Sequence, residues 1–150
     1  MQTQQAKSRA KRSDRVVIRI ATDTCGPLIG DLLAENGIVL PGESWEHVSP
    51  HWLVATDGDT VIGCLQVMPS RPAGWCEFLH TKPSASFKLR AIAIRKLIAA
   101  GMTSCHMAGC SYVMGMVDEQ NEKFVNVLER VGFSRVNRHA VMVKRLLELH

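Results

Sequence analysis

The chain has 150 residues, 46% hydrophobic and 21% charged, with a net charge of +4. That length and balance suit one domain with one core, and exclude a chain too polar to fold. No run approaches the roughly 18 apolar residues that span a bilayer, and the N-terminus lacks the apolar core of a secretion signal, so a cytoplasmic location and no membrane contact are expected.

The charge is unevenly spread. Residues 1–20 hold Lys7, Arg9, Lys11, Arg12, Arg15 and Arg19 against Asp14, a net +5, so the remaining 130 residues sum to −1. Residues 1–14 carry almost no apolar content and read as a disordered basic tail, with a folded domain over 15–150. Residues 1–15 suit contact with nucleic acid or an acidic partner surface, or serve only as a solvated tail. No aromatic residue interleaves the tail, which argues against base stacking. The five cysteines, Cys25, Cys64, Cys76, Cys105 and Cys110, form no C-x-x-C pair and read as free thiols. Cys105-His106 with Cys110 is at most half a metal site, and no metal is expected.

In chain order, RVVIRIAT at 15–22 alternates apolar and basic residues and predicts a strand. A helix follows, capped by Asp23 or Thr24, with Pro27 in its first turn and Gly37 at its end. Its apolar face is read as Leu28, Ile29, Leu32 and Leu33. Residues 38–50 read as a loop with two prolines. Two apolar runs around Asp57-Gly58-Asp59 predict a hairpin, PSRPAG a turn, and residues 75–81 another strand. The segment from Phe87 to Met102 predicts an amphipathic helix with Phe87, Ala91, Ile94, Ile98 and Met102 inward, and Lys88, Arg95 and Lys96 off that stripe. Residues 111–117 predict a buried strand. Asp118 is placed to cap a helix carrying Phe124, Val127, Leu128 and Val131, which Gly132 ends. Two strands, over 133–137 and 139–146, close the chain. The order β-α-β-β-β-α-β-α-β-β is a mixed α/β sheet flanked by helices.

That order, together with NEKFVNVLERVGF from Asn121 to Phe133, resembles the GNAT family of N-acetyltransferases. Asn121, Gly132 and Phe133 match the family's N-x-x-A-x-x-L-Y-x-x-x-G-F at the right spacing. The DGDTVIGCLQV hairpin is similar to its second and third strands, and LHTKP at 79–83 to the end of its fourth. The resemblance covers about residues 15–146. It implies a mostly antiparallel sheet whose fourth and fifth strands splay to admit the pantetheine arm of acetyl-CoA. The backbone around Leu79 and Thr81 would pair with that arm, and Asn121 belongs to the same site. The pyrophosphate would lie on the backbone at the start of the next helix, where donors are unpaired and the dipole is positive.

The sequence departs from the family at two points. The family's Q/R-x-x-G-x-G/A loop falls on Ser86, Phe87, Lys88, Leu89, Arg90 and Ala91, where only Ala91 fits. Side chains there crowd the phosphates, while Lys82, Lys88 and Arg90 offer charge or simply solvate the helix. The position of the family's tyrosine acid falls on Leu128. Glu77 is the candidate base for an amine, directly or through water, or else a solvated strand glutamate. His80 is expected on the other face as a structural residue. His47 and His51, beside Trp45 and Trp52, are read chiefly as loop packing, with substrate or partner contact as the other reading. The helix after the fourth strand also resembles that of small acetyltransferase-like virion proteins of tailed phages, basic and glycine-poor, with Arg95-Lys96-Leu97. Two functions follow: a non-catalytic interaction or structural component with a protein partner, or an active acetyl-CoA-dependent transferase acting on an unidentified amine.

Overall fold

The structure is a computed structural model describing residues 15–39, 45, 51–118 and 120–135. These fall into two compact units, one up to Met116 and one from Val117. In the first, β1 (Val16–Ile20) leads through a short 3-10 turn at Asp23–Cys25 into α1 (Gly26–Glu35). Then come β2 (Trp52–Asp57), β3 (Thr60–Ser70), β4 (Ala73–Thr81), α2 (Phe87–Met107) and β5 (Tyr112–Met114). The sheet order is β1-β2-β3-β4-β5, antiparallel except for the parallel β4–β5 pair. This is the mixed, mostly antiparallel sheet that the sequence predicts.

Gly58, at φ +61, turns the β2–β3 hairpin between Asp57 and Thr60, and Gly37, at φ +77, ends α1. Neither backbone angle suits a residue with a Cβ. The PSRPAG turn is tighter than expected: β3 runs to Ser70 and β4 starts at Ala73, leaving only Arg71-Pro72, joined by a cis peptide. The sequence misplaces the α1 cap. Asp23 and Thr24 lie in the preceding 3-10 turn, and Cys25 stands at the N-cap without a side-chain cap bond.

Both sheet faces are covered. Ile29, Leu32 and Leu33 of α1 pack on Trp52, Val54, Val61 and Cys64. On the other face Ala93, Leu97 and Cys105 of α2 pack on Val16, Leu53, Ala55, Leu65 and Val67. Alternate residues of β2 feed opposite clusters, which is why Trp52 to Ala55 are all buried. Leu28 is exposed, contrary to the face read from sequence.

Of the predicted inward face of α2 only Ile98 is buried. The buried residues are Ala93, Leu97, Ile98, Gly101 and Cys105, whereas Phe87 is 84% exposed. The segment is apolar on two sides, and the sheet selects the side with small residues because it permits close approach. A Cβ on Gly101 would stand 2.9 Å from Leu65 Cδ2. Lys96 is not simply solvated: it is half-buried, and its Nζ donates to Val16 O at 2.7 Å. The strand expected over 111–117 is only Tyr112–Met114, and Tyr112 is exposed; its sole partner among the described residues is β4.

In the second unit, α3 (Glu122–Arg130) is capped by Asn121, not by Asp118: the Phe124 N–H donates to Asn121 Oδ1 at 3.3 Å. Asp118 Oδ1 accepts from Gln120 N–H instead, at 2.9 Å. Gly132 has φ +100, and Phe133 N–H donates to Leu128 O at 3.0 Å, closing the helix as predicted. Phe133–Arg135 are not in a strand. The rest of both expected C-terminal strands, the basic tail 1–14, and most of the 38–50 loop lie outside the described residues.

All five cysteines are free. Burial pushes the Cys64 and Cys76 thiols from the ordinary 9.0 up to about 12, and raises Cys105 as well. The unfolded chain therefore gives up these protons from about pH 9 while the folded chain holds them, so stability falls between pH 9 and 12. Thermal unfolding followed from pH 8 upward is expected to show that decline, with a shallower slope in Cys64→Ala. An unchanged slope in that variant counts against the buried thiol as its source.

Candidate functional site

The site begins where β4 and β5 part. They pair only over Ala73–Trp75 and Tyr112–Met114. Gly115 still runs against β4, since a Cβ there would stand 2.7 Å from Cys76 O. Beyond it, residues 77–81 have β3 on one side and no strand partner on the other among the described residues. An edge of unpaired backbone groups therefore opens within the sheet.

A bulge shapes that edge. Gln66 pairs with Glu77 and Cys64 with His80, so Phe78 and Leu79 together oppose Leu65. Phe78 takes the left-handed φ of +52 that lets the strand absorb the extra residue. Its ring stacks on Trp52 at 5.9 Å in the α1-side cluster, while Leu79 and Cys76 pack in the α2-side cluster. Simple alternation places Leu79 on the face of Glu77 and Trp75; the bulge moves it to the face of Cys76. Glu77 is half-buried, and its carboxylate makes no hydrogen bond or ion pair with another described residue. His80 is half-buried too, and desolvation lowers its pKa, so the imidazole is neutral at pH 7.

The far end of β4 is held from both sides. Arg90 Nε donates to Thr81 Oγ1 at 3.0 Å, and Asn36 Nδ2 donates to Thr81 O at 3.1 Å and to Leu32 O at 2.8 Å. Arg90 is thus tied to the strand and does not merely solvate the helix. Asn36 was not singled out in the sequence, where Asn-Gly after a helix reads only as a stop signal. Thr81 O, a backbone acceptor expected to meet a ligand, is already engaged.

Lys82 N–H then donates to Ile62 O at 2.9 Å and Ala85 N–H to Lys82 O at 3.0 Å. Ser86 caps α2: its Oγ accepts from Leu89 N–H at 3.3 Å. Among the described residues that leaves the Phe87 and Lys88 amides, at the positive pole of a 21-residue helix, as donors of the first turn without a partner. The Leu89 side chain packs into the α2-side cluster, Lys88 is exposed and Ala91 half-buried. Glu77, Leu79, Thr81 and the six residues Ser86 to Ala91 thus all lie in the first unit, on β4 and the start of α2, but they do not share one face. Asn121 lies in the second unit, where its side-chain oxygen caps α3.

The open edge of β4 suits a pantetheine arm. At the helix start a serine takes one donor and a phenylalanine stands at the first helical position.

No protein-family model and no curated protein matches the sequence. The likeness is structural. A transcriptional regulator from Bacillus halodurans superposes with TM-score 0.68 at 18% identity, covering 86% of this chain and 99% of that one. The aminoglycoside acetyltransferase AAC(6')-Iy, in complex with the bisubstrate analogue CoA-S-monomethyl-acetylneamine, gives 0.67 at 21%, covering 87% and 98%. Rv2747 from Mycobacterium tuberculosis, in complex with CoA and NLQ, gives 0.65 at 16%, covering 84% and 76%. The fold is that of the GNAT acetyltransferases, as the sequence resemblance implies.

Proposed function

We propose that this chain uses the acetyltransferase fold without catalysis, as an interaction component of a larger assembly. The observation that carries the reading is the start of α2. Where the fold offers bare backbone to a pyrophosphate, this chain has a serine-capped turn and a phenyl ring 84% exposed. An exposed aromatic flanked by Lys88 suits contact with a protein partner better than a phosphate cradle. Leu128, at the position of the family's tyrosine acid, supports the same reading. The resemblance to phage virion proteins suggests the kind of assembly, with the basic residues 1–15 meeting nucleic acid or an acidic subunit. The test is calorimetric titration with acetyl-CoA at low and moderate salt. Expected is no binding heat at about 1 mM ligand in moderate salt; binding near 1 µM that survives added salt overturns the proposal.

A second reading is favoured by the unpartnered edge over residues 77–81. On it the chain is an acetyl-CoA-dependent N-acetyltransferase, and Glu77 takes the proton of an amine. It predicts acetyl transfer, with a loss of about 100-fold or more in Glu77→Gln. Full activity in that variant removes Glu77 as the base.

A further inference from the structure

At the C-terminal end of α2 the chain reverses through a Schellman turn. Gly109, at φ +80, donates its N–H to His106 O at 2.9 Å, and Cys110 N–H donates to Cys105 O at 3.0 Å. In this turn the residue three from the helix end and the second residue beyond it are brought together, and two apolar side chains usually meet there. Here both are cysteines. The Cys105 thiol neighbours those of Cys110 and of Cys76 on β4. Cys105 has no exposure, while Cys110 is half-buried.

The backbone bond limits how far apart the pair can stand. A 3.0 Å contact from the amide of one to the carbonyl of the other holds their Cα atoms within about 7 Å, the reach of a disulfide. Both sulfurs also converge over Gly74 of β4. A Cβ placed there would touch Cys105 Sγ and stand 3.6 Å from Cys110 Sγ.

We propose that Cys105 and Cys110 are a redox pair that closes to a disulfide across the end of α2. The oxidant is a small disulfide such as oxidised glutathione. The accessible Cys110, as thiolate, attacks one sulfur of that disulfide and releases one glutathione thiolate. Cys105, on losing its proton, attacks the Cys110 sulfur of the mixed disulfide and releases the second. Two protein thiols are oxidised and one glutathione disulfide is reduced to two thiols. Burial of Cys105 keeps its thiol protonated at neutral pH, so the second step quickens as pH rises. Cys76 neighbours Cys105 but lies on β4, and only Cys110 shares the turn that fixes the spacing.

The full chain is incubated with oxidised glutathione at pH 8.5, its remaining thiols are alkylated, and it is digested with trypsin. Both cysteines fall in one tryptic peptide, residues 97–123, with no lysine or arginine before its end. Expected is a loss of about 2 Da within that peptide and two fewer alkylated thiols. Cys76→Ser retains the shift; Cys110→Ser abolishes it. Lasting glutathione on Cys110, a link from this peptide to the one bearing Cys76, or five unchanged thiols each overturns the proposal.

Discussion

Replacing Leu97 by alanine is expected to lower the free energy of unfolding by about 3 kcal/mol. Leu97 is wholly buried at the centre of the cluster between α2 and the sheet. Its Cδ1 reaches to 3.1 Å from where a Cβ on Gly63 would stand, so the leucine fills the space that the glycine leaves over β3. Truncation removes contacts on the helix and uncovers that gap, and a strand paired on both sides cannot move in to close it. Phe87→Ala, at the exposed end of the same helix, is expected to change stability by no more than about 0.5 kcal/mol. Urea unfolding of the two variants checks both numbers. A larger cost at Phe87 than at Leu97 would return α2 to the face predicted from sequence.

Gly74→Ala is expected to cost about 2 kcal/mol by overpacking. The new methyl would press on Cys105 Sγ and stand 2.9 Å from Cys105 Cβ. Cys105 Cβ belongs to the last turns of a long helix and cannot swing aside as the tip of a flexible chain can. Part of the loss is expected to return in Gly74→Ala with Cys105→Ala, because the nearest atom is gone; the two changes then fail to add. Strict additivity in urea unfolding would show that the methyl finds room elsewhere.

Local signals explain what was legible in the sequence. The hairpin at Asp57-Gly58-Asp59, Pro27 in the first turn of α1 and the Gly132 stop each rest on residues next to one another, and each stands where predicted. The inward face of α2 was not legible, because Phe87, Ala91 and Ile94 make as regular a stripe as Leu89, Ala93 and Leu97. Only the sheet beneath decides, through the close approach at Gly101. The bulge at Phe78 was hidden for a similar reason. Nothing in WCEFLHT marks an extra residue; the pairing of β3 with β4 creates it, and it moves Leu79 across the sheet. The span from Glu77 to Ala91 was readable, but its internal ties were not: Thr81 Oγ1 meets Arg90, and Thr81 O meets Asn36, some 45 residues away.

Among the described residues, the parting of β4 from β5 leaves a row of backbone donors and acceptors of the kind on which stray strands nucleate and proteins precipitate. The irregular backbone at Phe78 interrupts that row. A regular strand arriving at the edge would keep step for no more than a residue or two before its hydrogen bonds fell out of phase. The bulge that lets Phe78 and Leu79 share one position thus also makes this edge a poor template for a strand of another copy.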